Sequence, residues 1–119
     1  MPAKPISAAN AEHYTWVDLN GTDCDGWHLV RNSNLNIIEE LMPPGTSETR
    51  HHHAHAHQFF YVLQGELSIE VEHQDHVLQP GQGLEIAQGQ SHQVVNRSSR
   101  PVRFLVTSQP PSHGDRINS

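Results

Sequence analysis

Five histidines fall within seven positions: His51, His52, His53, His55 and His57. The cluster is followed at once by Gln58 and the apolar run Phe59-Phe-Tyr-Val-Leu63, and glycines at 45 and 65 flank the whole. Neutral imidazole is the commonest protein ligand for transition metals, so the chemistry on offer is metal binding. If residues 50–53 are a strand, alternation sets His51 and His53 on one face and His52 on the other. An H-x-H pair on a strand can put two imidazoles on one ion. A helix would instead pair His51 with His55 and His53 with His57. Pro43-Pro44-Gly45 upstream and the short β-favouring run downstream disfavour the helix. Two ligands make a weak site. His92, in Gly89-Gln-Ser-His92-Gln-Val-Val-Asn96, is the best third. Gln58, whose amide oxygen can coordinate, opens the strand after the cluster.

The elements that must hold these residues read as β-structure throughout. Tyr14-Thr-Trp16 and Gly26–Val30 are strand-like pieces around the turn-rich Asn20-GTDCDG. Leu35–Met42 fits a strand or a turn of helix, ended by Pro43-Pro44-Gly45. Leu67, Ile69 and Val71 alternate with Ser68, Glu70 and Glu72, as in a half-buried strand. His73-Gln-Asp75 reads as a hairpin tip with His76–Leu78 returning. Leu84–Ile86, His92–Val95 and the alternating stretch Val102–Thr107 supply further strands. Short strands punctuated by Gly and Pro predict a sandwich or barrel. The domain reading is a loose arm over 1–13, one barrel over 14–108 and an extended tail over 109–119.

Composition narrows the function. A chain of 119 residues fits one domain and one core. The formal charge is −6, and only 7 Lys and Arg are spread along the chain, which argues against a nucleic-acid surface. No apolar run approaches a membrane span. The first residues lack the apolar stretch of a secretory signal, so cytoplasm is the expected compartment. Cys24 is the single cysteine, so no intrachain disulfide forms.

The spacing of the two glycine-bounded segments resembles that of the cupins. The first cupin motif is G-x5-H-x-H-x3-4-E-x6-G, and Gly45, His51, His53, Gln58 and Gly65 fill it, with Gln58 in place of Glu. The second is G-x5-P-x-G-x2-H-x3-N, filled by Gly81, Ala87, Gly89, His92 and Asn96, with Ala87 in place of Pro. The 15 residues between them, 66–80, match small members of the family. The resemblance implies an all-β fold, the double-stranded β-helix or jelly-roll barrel, with a metal inside. It implies His51, His53, Gln58 and His92 as ligands to one divalent transition metal, with Fe, Mn, Ni, Zn and Cu all compatible. Asn96 would shape the barrel, and a homodimer is the expectation for small cupins.

Replacing Glu by Gln removes one negative charge from the ligand set. The ion would be a stronger Lewis acid but more weakly held, and Gln58 cannot serve as a general base. Alternation from Gln58 points Phe60 and Val62 inward as pocket wall; Phe104 reads as core or interface and is a further pocket-wall candidate. Phe59 and Tyr61 point outward. Trp16 and Trp27 read as core or interface. His55 and His57 are expected in an exposed turn near the barrel mouth; with Glu48 they are the candidate catalytic acid–base groups. The expected function is binding of, or action on, a small organic molecule at a metal site of three histidines and one glutamine. The reading leans to oxygenase-like chemistry. The alternatives are a metal-dependent isomerase or epimerase, and a binding module without turnover. A His-rich metal buffer is the least favoured, because the second motif is ordered.

Overall fold

A computed structural model describes residues 2–119 and contains strands but no helix. No helix among the described residues is long and apolar enough to cross a membrane. The strands are β1 (Glu12–Val17), β2 (Asp23–Arg31), β3 (Asn36–Met42), β4 (His51–His53), β5 (His57–Gln64), β6 (Leu67–Val71), β7 (Gln74–Leu78), β8 (Gly83–Ile86), β9 (His92–Val95), β10 (Val102–Gln109) and β11 (Arg116–Asn118). They form two antiparallel sheets, ordered β1-β2-β3-β10-β5-β8 and β11-β4-β9-β6-β7. The inner faces of the two sheets enclose the core, as in a jelly roll.

Alternation sets what lies inside. β10 runs buried at Val102, Phe104, Val106 and Ser108, with partly exposed residues between. β5 buries Gln58, Phe60 and Val62 and exposes His57, Phe59 and Leu63. The Leu35–Met42 stretch, readable as strand or helix, is a strand. It pairs with β10 from Val102↔Met42 to Ser108↔Asn36. Phe60 and Phe104 are the core's two phenylalanines, and Met42, Leu67, Ile69 and Ile86 are among its largest other side chains.

The β6–β7 hairpin turns one residue earlier than its sequence suggests. Glu72 and His73 take φ of 50° and 70°, while Gln74 and Asp75 already pair in the ladder. Two residues at positive φ give the turn whose twist matches the flanking strands. Gly65, between β5 and β6, sits at φ 87°, and a Cβ there would lie 2.5 Å from the Pro101 carbonyl oxygen. Backbone conformation and space both demand glycine.

β1 begins at Glu12, inside the stretch read as an arm. In the tail, β11 pairs with β4 through Arg116↔His53, Ile117↔His52 and Asn118↔His51. The Asp115 carboxylate accepts the N–H groups of His55 and Ala56 at 2.9–3.1 Å.

Candidate metal centre

β4 and β9 bring three histidines together. His51 lies directly opposite His92 in the ladder, and His53 follows two residues along on the same face. Each of the three offers a ring nitrogen within 4.8 Å of the others, and all three are buried. Ring centroids are 4.4 Å apart for His51 and His92, 4.9 Å for His51 and His53, and 5.8 Å for His53 and His92.

Hydrogen bonds fix two tautomers. His51 Nδ1 lies 2.8 Å from the Thr49 carbonyl, and His92 Nδ1 lies 3.0 Å from that of Gln90. A carbonyl only accepts, so both Nδ1 atoms carry the proton and both Nε2 atoms present a lone pair. Gln90 is held in turn, because the Ala87 N–H donates to its side-chain oxygen at 2.8 Å. The proline usual at that motif position would remove this donor.

Four buried atoms in this region have no partner: both ring nitrogens of His53, Nε2 of His92 and Oε1 of Gln58. Gln58 donates its Nε2–H to Ser108 Oγ at 3.0 Å, which leaves the amide oxygen as the unpaired end. Unpaired buried polar atoms are costly and call for an explanation. Three of them can present a lone pair together, one nitrogen of the neutral His53 ring, Nε2 of His92 and Oε1 of Gln58, and this donor set suits a divalent transition metal. Burial holds the imidazoles neutral, as metal binding requires. It pushes His51 down to about 3 and His53 down to about 4, and it lowers His92 as well.

Beside the cluster lies a cavity of about 50 Å³. Its wall includes His51, Gln58, Phe60 and Phe104, together with two acids, Glu40 and Glu48. Burial pushes the Glu40 carboxyl up to about 7 and that of Glu48 up to about 8, where the charge of Glu40 adds to the effect. Glu48 Oε1 is 3.8 Å from His51 Nδ1 and accepts the Val94 N–H at 3.3 Å. Among the catalytic candidates, Glu48 lines this cavity, whereas His55 and His57 are exposed and lie outside its wall. Phe60 and Phe104 line it as read. Val62 is wholly buried in the core and is not part of its wall.

Glu40 is the residue that sequence reasoning missed. It shares the inner face of β3 with Ile38 and Met42, and Phe104 is its neighbour across the ladder. The signal was a charge at an inward position of an apolar strand. It was unreadable while Leu35–Met42 stood between strand and helix. Asn96 plays the structural part expected of it: its Nδ2 donates to the carbonyls of Met42 and Arg100 at 2.9 and 2.8 Å.

Two antiparallel sheets closing over a buried cluster of three histidines define a cupin barrel. The Cupin domain family matches residues 38–108, and the chain belongs to it. A tetracenomycin polyketide synthase protein, TcmJ of Streptomyces glaucescens, is 29% identical over 69 residues. That match spans 58% of this chain but only 46% of the relative's length. A solved structure of a predicted oxalate decarboxylase from Thermotoga maritima is similar over 91% of this chain and all of its own (TM-score 0.81, 18% identity). The polyketide cyclase RemF of Streptomyces resistomycificus is similar over 98% of this chain and 85% of its own (TM-score 0.80, 19% identity). At these identities the structural likeness shows the fold alone.

Proposed function

We propose that this chain holds one divalent transition metal ion at His51, His53 and His92, with Gln58 as fourth donor, and catalyses proton transfer on a small carbonyl compound beside it. The observation that carries this is the pair of acids, Glu40 and Glu48, in the wall of the cavity that also contains His51 and Gln58. The sequence offered three candidate acid–base groups, His55, His57 and Glu48; of these Glu48 lines the cavity, and the fold adds a second carboxyl, Glu40, from β3. Isomerase-type chemistry therefore displaces the lean towards oxygen chemistry.

A divalent ion bound there supplies Lewis acidity towards a carbonyl or hydroxyl oxygen. The protein's own groups do the rest. Glu40, the less raised of the two acids, as carboxylate takes a proton from the carbon next to the carbonyl and returns it at the same or a neighbouring atom. Glu48, pushed up to about 8, holds a proton at neutral pH and can donate it to a substrate oxygen. Phe60, Phe104 and Val106 give the cavity an apolar wall, which strengthens electrostatic interactions within it. The relative named as a polyketide synthase protein is compatible with a carbonyl substrate.

The test is metal content and isotope exchange on untagged protein. Mass spectrometry should find about one ion per chain in the wild type and close to none in His92→Ala. Metal-loaded protein should wash deuterium from solvent into a member of a panel of α-keto acids and hydroxy ketones. Glu48→Gln should slow this by about 100-fold, within the usual range for a lost acid–base group. Oxygen uptake without exchange would shift the reading to an oxygenase. Ligands bound tightly and left unchanged would make the protein a binding module. Several weakly held ions indifferent to His92→Ala would remove the site altogether.

A further inference from the structure

A second and larger cavity, of about 390 Å³, opens on the same inner face of the six-stranded sheet. Its volume lies in the range of small-molecule sites, whereas the inner cavity has room for little more than a few waters. The two lie end to end along β3: Asn36 and Ile38 line the outer one, Glu40 and Met42 the inner one. Four residues of strand separate Asn36 from Glu40, roughly 13 Å. Tyr14 lies opposite Gly26, in a ladder row that continues to Glu40. It lines the outer cavity, and Glu40 adds to the burial that holds its phenol protonated. The ring occupies space that any side chain at Gly26 would fill, since a Cβ there would lie 2.2 Å from the Tyr14 ring. Pro111–His113 of the tail close the far side.

The lining of the outer cavity is rich in donors and, among the described residues, has no carboxylate. Arg31 is its one permanent cation. The only ion pair of Arg31 among the described residues is with Glu12 at 3.6 Å, where the two side chains are 60% and 70% exposed. A pair so exposed is worth little and yields readily to a better partner. The Asn32 side-chain oxygen is already used, accepting the N–H groups of Asn34 and Leu35, so its amide donor is the free end. Tyr14 and Ser112 add hydroxyls. Two buried atoms in the lining have no partner: Nδ1 of His28, and Oδ1 of Asn36, an acceptor suited to a hydroxyl of the ligand and not to its anionic group. Burial, with Arg31 next, lowers the pKa of His28, so its ring is neutral and free to donate through one nitrogen.

We propose that this outer cavity is an anion subsite, in which Arg31, with donors from Asn32, Tyr14 and His28, holds the carboxylate or phosphate of an elongated substrate whose carbonyl end reaches the inner cavity. The role of the inner end rests on the function proposed above; anion binding at the outer end does not, and it is tested apart from metal. The spacing along β3 makes the substrate an acid with its charged group roughly 13 Å from the reacting carbon. A guanidinium suits both oxyanions, because its fork of N–H donors matches either geometry.

The probes are succinate and inorganic phosphate, titrated by calorimetry and by NMR shift changes into chelator-treated and metal-loaded protein. At least one should bind saturably with or without metal. Arg31→Gln should weaken it ten-fold or more while leaving metal content at about one ion per chain. Glu12→Gln, which frees Arg31 without touching the cavity wall, should bind the probe as well or better. Succinate alone assigns a carboxylate substrate, and phosphate alone a phosphate ester. Binding by neither probe, binding undiminished in Arg31→Gln, or binding only when metal is present would overturn the subsite. Failure of the wild type to load metal, with anion binding retained, would overturn the metal site instead.

Discussion

At the residue scale, the site combines groups that burial drives in opposite directions. Between about pH 4 and 6.5 the unfolded chain binds protons on His51, His53 and His92 that the folded chain refuses, so stability falls as pH drops through that window. Between about pH 4.5 and 8 the folded chain keeps protons on Glu40 and Glu48 that the unfolded chain has released, so stability falls as pH rises there. The metal-free protein should therefore melt highest near pH 5 to 6 and lose stability on both sides. Melting temperatures in chelator across pH 3.5–8.5 check this. Glu48→Gln should flatten the alkaline limb only, and a profile still rising to pH 8 would contradict the burial of the two carboxyls. Gln58 is the other point of leverage. Gln58→Glu restores a negative charge to the donor set, and Ser108 can turn its hydroxyl to donate to the new carboxylate. Metal affinity, read by competition with a chelating dye, should rise at least ten-fold. No gain would mean that Gln58 lies outside the coordination shell. The clustering of the three histidines was legible in the sequence because motif spacing is local on each strand. Glu40 was not, because its role depends on β3 packing against β10 across about 60 residues of chain.

At the scale of elements, the weak member is the strand that carries two of the three histidines. β4 is three residues long and meets β9 at a single position, His51↔His92. Its other edge is covered by β11 from the tail, at all three positions. Asp115 adds three hydrogen bonds to the turn after β4, and the Ser119 N–H donates to the Arg50 carbonyl just before it. The C-terminal segment thus holds the histidine-bearing strand in place. Removing residues 115–119 should lower metal affinity more than it lowers the melting temperature of the metal-free barrel. Asp115→Ala should show the same pattern more mildly, at about 1–2 kcal/mol for the lost caps. Equal affinity in the truncated chain would show that β9 alone suffices to position β4. Most strands could be read from alternation and glycine punctuation, since those signals are local. The pairing of the tail could not: its proline-broken sequence carries no periodicity, and its partner lies about 65 residues away.

At the scale of the molecule, the outer face of the six-stranded sheet is unusually apolar for a surface. Phe59 and Leu63 are 43% and 42% exposed, and Phe59 stacks on Tyr61 at 6.2 Å between ring centroids. Tyr61 lies opposite Leu105, itself opposite Glu39, and Glu39 pairs with Arg103, whose guanidinium lies 4.9 Å from the Trp27 ring. An apolar strip with aromatic residues and one satisfied ion pair has the composition of an interface core rather than of a solvated face. The opposite sheet exposes Val77 and Ile117 singly, on β7 and β11, and its β6–β7 hairpin end carries Glu72, His73, Gln74 and Asp75. We expect the strip to be covered by the same strip of a second copy, giving a homodimer with two-fold symmetry, because a self-complementary patch closes most simply on itself. A stable interface of this kind needs about 800 Å² from each partner, an area within reach of one face of a six-stranded sheet. Sedimentation at micromolar concentration should give twice the chain mass for the wild type. Phe59→Lys with Leu63→Lys should give the single-chain mass while leaving metal content unchanged, since both side chains point away from the barrel interior. A wild type that sediments as a monomer would leave the strip to a different partner and would separate metal binding from assembly altogether.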